Sequence, residues 1–263
     1  MTAQLVRRER GAARNVAAMI DLHCHVLPGI DDGPDTIEGS VAFARAALGA
    51  GMRQLVATPH VSTRYPNDAA TIARVRDALQ KRLAEEDIAL ELLSGAEIAL
   101  TRLPDVPAEE LSRLGLGGGP WLLIECPFLP ALGGLEQILL GIARRGHRVM
   151  LAHPERCPTF QRDPRMLARL VDGGIATSIT AGSLTGQFGE SVRAFALELV
   201  LAELVHNVTS DAHDPVRRPP SVLAELERAG LAPLAGWLTE DVPSAILRGE
   251  DVPARPPVAL PVL

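Results

Sequence analysis

Asp21, His23 and His25 occupy alternate positions in Asp21-Leu22-His23-Cys24-His25. Alternate residues of a β-strand share a face, so the two imidazoles can meet one cation while Leu22 and Cys24 face the other way. Further segments continue the theme: Thr58-Pro59-His60, Gly95-Ala96-Glu97, Ile124-Glu125, His153-Pro154-Glu155-Arg156 and Ser210-Asp211-Ala212-His213. Of the 7 histidines, all but His147 and His206 fall in these segments. Imidazole mixed with carboxylate, without clustered thiolates, suits manganese, iron or zinc in a hydrolytic site and disfavours a structural zinc knot. So many donors exceed the needs of one ion and suit a cluster of two or three with bridging carboxylates. Such clusters activate water and clamp the oxygens of an in-line phosphoryl displacement.

Each polar segment follows a short apolar run. The runs are Met19–Leu22, Gln54–Ala57, Ala89–Leu93, Trp121–Ile124, Arg148–Ala152, Ala176–Thr180 and Asn207–Thr209. Helical patterns separate most of them. Asp35 and Glu38 suggest a capping box ahead of Ile37, Val41, Ala44 and Leu48, with Gly51 as a stop. Ile72, Val75, Leu79 and Leu83 form a second apolar face behind an Asp68 cap. Leu135–Arg145, Pro164–Asp172, Ser191–Glu203 and Ser221–Ala229 continue the rhythm. This alternation predicts a parallel α/β sheet, closed or doubly wound. In a parallel barrel the strand ends converge on one face, where chemistry is done.

Composition narrows the function. A formal net charge of -6 offers no general grip on nucleic acid or anionic lipid. No apolar run nears the roughly 20 residues of a membrane span, so no membrane insertion is expected. Three unclustered cysteines argue against a disulfide scaffold. Residues 1–18 carry Arg7, Arg8, Arg10 and Arg14 and read as an extension. The apolar stretch Val16–Ile20 is cut short by Asp21, which excludes a secretory signal. One domain is expected over 19–250, followed by a Pro-rich tail over 251–263.

Other chemistries fit poorly. A cysteine phosphatase needs an arginine six positions after its thiolate, but those positions hold Ile30, Leu132 and Asp163. Cys24, Cys126 and Cys157 therefore read as small buried thiols. Gly115-Leu116-Gly117-Gly118-Gly119 lacks the Lys-Ser/Thr of a nucleotide loop and reads as a turn. His147 and His206 precede strands rather than follow them and stay outside the expected site. Arg64 and Tyr65, just past His60, fall on an expected mouth loop and are candidate substrate contacts.

The ordered set of motifs resembles the PHP (polymerase and histidinol phosphatase) superfamily. Met19-Ile20-Asp21-Leu22-His23 followed by Gly29-Ile30-Asp31-Asp32-Gly33-Pro34 is similar, more closely, to the bacterial manganese-dependent protein-tyrosine phosphatases of capsule and exopolysaccharide loci. The likeness runs from about Met19 to Arg248. It implies a distorted (β/α)7 barrel of the PHP type. By that resemblance His23, His25, Glu97 and Asp211 hold one ion, and Glu97 bridges to a second held with Glu125 and His153. His60, His213 and an aspartate of the Asp31-Asp32 pair, Asp32 in preference, hold a third. Arg156 and Arg218 match phosphate-binding arginines, whose planar forks suit two phosphate oxygens; the alternative for either is plain surface solvation.

The implied reaction is hydrolysis of phosphotyrosine in proteins, by attack of a hydroxide bridging the ions. Mn2+ is the implied cofactor, with Fe or Zn as alternatives. The implied partner is the tyrosine-rich tail of a polysaccharide co-polymerase tyrosine kinase, in the cytoplasm, with control of polysaccharide synthesis or export as the outcome. A small-molecule phosphatase such as histidinol-phosphate phosphatase and a non-catalytic metal-bound regulatory module are the alternatives. Asp31-Asp32-Gly33-Pro34 favours the first reading over the second, and the full ligand set disfavours the third.

Overall fold

The computed structural model describes residues 19–128 and 134–260. The expected N-terminal extension, 1–18, and the last three residues of the tail lie outside the described residues. The strands are β1 (Met19–Cys24), β2 (Met52–Ala57), β3 (His60–Val61), β4 (Glu91–Ser94), β5 (Glu97–Ala99), β6 (Trp121–Glu125), β7 (Arg148–Ala152), β8 (Ala176–Thr180) and β9 (Asn207–Thr209). All their pairings are parallel, in the orders β1-β2-β4 and β3-β5-β6-β7-β8-β9.

These two sheets make one distorted barrel. After Thr58-Pro59, β3 continues the line of β2; after Gly95-Ala96, β5 continues β4. The register carries across the break, from Ala57 opposite Ser94 to His60 opposite Glu97. At the other seam the end of β1 meets the segment after β9. His25 N donates to Ala212 O at 2.9 Å and Asp211 N to His23 O at 3.0 Å. Counting the two broken lines once each leaves seven strand positions, the (β/α)7 arrangement that the resemblance implies.

The distortion has a local cause. Pro59 has no N–H to give to a ladder. Opposite it, a Cβ at Gly95 would come within 2.7 Å of Val56 Cγ1 and 3.2 Å of Leu116 Cδ2, so the backbone passes where only glycine fits. The apolar runs give no sign of β3 and β5 as separate strands, because each is only two or three residues long.

Helices α1 (Ile37–Gly49), α2 (Ala69–Glu85), α3 (Ala108–Arg113), α4 (Leu135–Arg144), α5 (Pro158–Arg162), α6 (Pro164–Asp172), α7 (Glu190–Leu201), α8 (Leu223–Arg228) and α9 (Val242–Leu247) follow between and after the strands. Asp68 caps α2 as expected, accepting from Thr71 N at 2.7 Å. Ile72, Val75, Leu79 and Leu83 are its buried face. The α1 cap is a correction: Thr36, not Asp35, accepts from Gly39 N, at 3.2 Å. Glu38 lies 3.9 Å from Arg82 of α2. α3, α5 and α9 have five or six residues each, too short for a 3.6-residue period to show. Phe43 on α1 and Phe160 on α5 are fully buried. Burying each stabilises the fold by about 1.5–3 kcal/mol.

The described part of the Pro-rich tail packs at the opposite end of the barrel, where Asp251 and Val252 lie beside Trp121 and Arg148. Trp237 Nε1 donates to Pro253 O at 3.1 Å, and Arg255 Nη1 to Val200 O at 2.7 Å. The glycine run is a turn at this end, leading into β6. His147 and His206 lie here too, lining a cavity of about 400 Å³ with Trp121 and Arg148, away from the strand C-termini. Burial lowers the His206 pKa from 6.5 to about 4, and its Nδ1 accepts from Thr177 N at 3.1 Å. The unfolded chain therefore takes up a proton near pH 6.5 that the folded chain refuses. His206 should cost the fold about 3 kcal/mol as pH falls from 6.5 to 4, and nothing further below that. Thermal melts of His206→Gln across this window should show a correspondingly shallower acid loss than wild type; parallel curves would contradict the assignment.

Candidate metal centre

The C-terminal ends of the strands, with the loop between β1 and α1 that carries Asp32, bring all nine expected ligands to one mouth. β1 supplies His23, with His25 just beyond its end; β3 supplies His60; β5 supplies Glu97; β6 supplies Glu125. His153 follows β7, and Asp211 and His213 follow β9. His153 and Asp211 sit at φ 34° and 48°. Such left-handed backbone is strained for residues with a Cβ and is concentrated at functional sites. Here it directs each side chain inward as its strand ends.

The donor atoms crowd one another. His23 Nε2 lies 3.3 Å from Glu97 Oε2 and 3.5 Å from Asp211 Oδ1. His25 Nε2 lies 3.4 and 3.5 Å from the same two oxygens, and 3.3 Å from His23 Nε2. His60 approaches Glu97 Oε2 at 3.0 Å through Nδ1 and Asp32 Oδ1 at 3.5 Å through Nε2. His213 Nε2 lies 3.3 Å from Asp32 Oδ1. His153 Nε2 reaches Glu97 Oε1 at 2.7 Å and Glu125 Oε1 at 3.8 Å. Separations near 3.4 Å are those of ligand atoms that each lie about 2.1 Å from a shared ion. Glu97 Oε2 is buried and accepts no hydrogen bond among the described residues, although three imidazoles face it. A buried oxygen left in that state fits a cation. The chemistry and spacing of the donors thus suit metal.

Among the described residues three sets of donor atoms lie within 4.8 Å of one another: His25, Asp32, His60 and His213; His23, His25 and Glu97; and His60, Glu97 and Glu125. The geometry differs from the division implied by the resemblance in sharing His25 and His60 between sets and in leaving His153 and Asp211 outside all three. It also separates the two aspartates. The Asp31 carboxylate is consumed by His25 Nδ1 at 2.7 Å, His60 N at 3.2 Å and Gly33 N at 3.0 Å. Asp32 instead faces His60 and His213. Asp31 fixes the His25 tautomer so that Nε2 presents its lone pair to the cluster, and the Asp211 carbonyl does the same for His213 through Nδ1 at 3.0 Å.

Electrostatics follow from this packing. Burial would raise the Asp211 pKa, but His23, His25, Arg218 and His153 hold it well below the usual range. Burial likewise opposes ionisation of Glu97, and the surrounding histidines outweigh it. Glu125 has less help: burial and the Glu97 charge push it up to about 7. A bound cation would favour its ionised form.

Asp211 also anchors both expected arginines. Its Oδ2 accepts from Arg156 Nη1 at 2.7 Å and Arg218 Nη2 at 2.6 Å. Both guanidiniums line a cavity of about 140 Å³ with Asp32, His60, Glu97, Glu125, His153, Asp211 and His213. Neither is simply a solvated surface charge. Glu155, one residue before Arg156, is buried and accepts from Ser183 Oγ at 2.6 Å and Thr180 N at 3.0 Å, tying the turn that carries Arg156 to β8. Asp21, on the polar side of β1, accepts from Ser210 Oγ at 2.5 Å and Ser210 N at 3.1 Å, bracing the barrel seam instead of joining the cluster.

Tyr65 stacks on His60 with ring centroids 5.7 Å apart, and Arg64 lies 5.0 Å over the Tyr65 ring; Tyr65 buttresses a ligand rather than lining the cavity. All three cysteines are free and buried. Residues that sequence alone does not single out are Phe128 and Phe188, which flank Arg156 at 5.0 and 4.3 Å. Their loops are distant in sequence, and no spacing rule links them.

A Cβ at Gly33 would collide with the His25 carbonyl backbone. Gly33→Ala should therefore push the Asp31-Asp32 turn off His25. Loss of such an orienting contact lowers metal affinity about 10–100-fold. Titration of the apo variant with Mn2+ checks this, and wild-type affinity would contradict it.

Comparisons with known proteins show which family the chain belongs to. Residues 19–229 match the family described as capsular polysaccharide synthesis, CpsB/CapC. The chain is 38% identical over 243 residues to the tyrosine-protein phosphatase YwqE of Bacillus subtilis, covering 91% of this chain and 95% of that protein. It is 31% identical over 204 residues to the putative tyrosine-protein phosphatase CapC of Staphylococcus aureus, covering 76% and 79%. Among solved structures it resembles one from a study of YwqE from Bacillus subtilis and CpsB from Streptococcus pneumoniae, described as unique metal-dependent tyrosine phosphatases. That match has a TM-score of 0.79 at 36% identity, over 93% of this chain and 100% of that one. Histidinol phosphate phosphatase of Lactococcus lactis shares the fold at 12% identity, with a TM-score of 0.51 over 83% of this chain and 94% of that one. The chain therefore belongs to the CpsB/CapC family of capsular polysaccharide synthesis proteins.

Proposed function

We propose that this protein is a metal-dependent phosphatase that hydrolyses phosphotyrosine in proteins and so regulates polysaccharide synthesis or export. The observation that carries the reading is the buried histidine–carboxylate cluster with two arginines anchored on one of its carboxylates. His23, His25, Asp32, His60, Glu97, Glu125, His153, Asp211 and His213 are the proposed metal ligands, for two or three ions. Manganese is the proposed metal, since the donors are hard oxygens and imidazoles without thiolate, with Fe or Zn as alternatives. When bound, the metal supplies Lewis acidity and water activation.

The residues of the chain do the rest. Arg156 and Arg218 hold the phosphoryl oxygens and stabilise charge that develops on them. Asp211 keeps the two forks aimed at the cavity. Asp31 and the Asp211 carbonyl set the histidine tautomers. The proposed catalytic domain spans 19–250, ahead of the 251–263 tail. The proposed partner is the tyrosine-rich tail of a bacterial polysaccharide co-polymerase kinase, met in the cytoplasm; free cysteines suit that reducing compartment. Among the described residues no helix is long and apolar enough to cross a membrane.

Assays that compare a tyrosine-phosphorylated peptide with histidinol phosphate test this reading. Higher kcat/KM on the peptide supports it; preference for histidinol phosphate would replace it with the small-molecule alternative. Arg156→Ala and Arg218→Ala should each lower kcat/KM by about 10²–10³-fold, the effect of losing one charge-assisted contact in a closed site. Their metal content should stay near wild type, and wild-type kinetics in both variants would remove the arginines from the mechanism.

A further inference from the structure

Among the described residues, every one lining the catalytic cavity is a charged residue or a histidine, except Phe128. Its ring stacks on His153 with centroids 5.5 Å apart and planes 17° from parallel, and the Arg156 guanidinium lies 5.0 Å away. Yet Phe128 remains 44% exposed. Aromatic residues make up only 3% of the chain, so a half-open phenyl ring here is not a matter of composition.

Size sharpens the point. A cavity of about 140 Å³ is close to what one benzene-sized group fills. The proposed ions and a phosphoryl group held by Arg156 and Arg218 take that room, and the group that carries the phosphoryl must lie at the rim. Among the described residues Phe128 is the apolar surface present there.

We infer that Phe128 is a specificity-determining residue, which packs against the ring of an aryl phosphate ester while the phosphoryl group occupies the cavity. This rests on the phosphotyrosine reading and adds the means by which aryl esters are preferred to alkyl esters. Offset or edge-on ring pairs strengthen binding by about three- to tenfold. Phe188 has a different task. It lies 4.3 Å from the Arg156 guanidinium and 5.8 Å from that of Arg218, so it acts through both as a positioning residue.

Two inhibitors separate these roles in the manganese-loaded protein: inorganic phosphate, which lacks a ring, and phenylphosphonate, which has one. Phe128→Leu should weaken phenylphosphonate about three- to tenfold and leave phosphate inhibition unchanged, with kcat/KM on a phosphotyrosine peptide falling in step. Phe128→Tyr should keep all three values near wild type. Phe188→Leu should weaken both inhibitors by the same factor. Equal weakening of both by Phe128→Leu, or of neither, overturns the inference while a working wild-type phosphatase keeps the functional reading. A wild-type protein that leaves the phosphotyrosine peptide intact overturns both. Circular dichroism and metal content confirm that each variant compared is folded and loaded.

Discussion

Glu97→Gln is expected to reduce turnover by more than about 10³-fold and to lower metal content, with the barrel still folded. Glu97 is buried, and its two oxygens face His23, His25, His60 and His153 at 2.7–3.4 Å. These partners keep it ionised, well below the usual carboxylate range despite its burial. The amide isostere keeps the shape but replaces one acceptor oxygen with an N–H donor and removes the negative charge. Either orientation of the amide then turns hydrogens, in place of an anionic oxygen, toward the space between the imidazoles where a cation would sit. The substitution lies at the mouth, not among the packed interior layers, so secondary structure should persist. Elemental analysis and phosphotyrosine hydrolysis on the folded variant check this; wild-type values for both would remove Glu97 from the centre.

Asp211→Asn should be nearly as severe and should differ in kind. Asp211 shares one oxygen with His23 and His25, and gives the other to Arg156 and Arg218. An amide serves only one of these two groups, because its nitrogen presents donors to whichever it faces. If the nitrogen faces the arginines, both guanidiniums lose their anchor; if it faces the histidines, the metal loses a ligand. A loss of about 10³-fold in kcat/KM is expected, together with weaker inhibition by inorganic phosphate. Glu97→Gln, by contrast, leaves the arginine anchor intact. Phosphate inhibition and metal content measured on both variants separate them, and unchanged phosphate binding in Asp211→Asn would contradict the anchoring role.

Much of this site was legible because strand alternation and strand ends are strong one-dimensional signals. His23 and His25 at alternate positions, and Glu97, Glu125, His153 and Asp211 after apolar runs, pointed to one mouth once the sheet was parallel. The Asp31-Asp32 pair was not separable that way. Both lie in a turn, and only the approach of His25 Nδ1 to Asp31 sets their roles apart. The aromatic neighbours of Arg156 were invisible for a related reason. Phe128 follows β6 and Phe188 precedes α7, so only barrel closure brings them to one guanidinium. The broken strands at Pro59 and Gly95 depend on contacts across the sheet that no local period encodes, and the choice of Thr36 over Asp35 as a cap turns on a single residue of backbone geometry.

Phosphotyrosine hydrolysis is expected to depend on ions held by this cluster. The most direct measurement follows bound metal and phosphotyrosine-peptide hydrolysis together, in one preparation stripped with a chelator and then titrated with Mn2+. Activity should vanish in protein verified as metal-free, while the circular dichroism of the barrel remains, and should return in proportion to the ions rebound. Full activity in the metal-free protein would contradict the account.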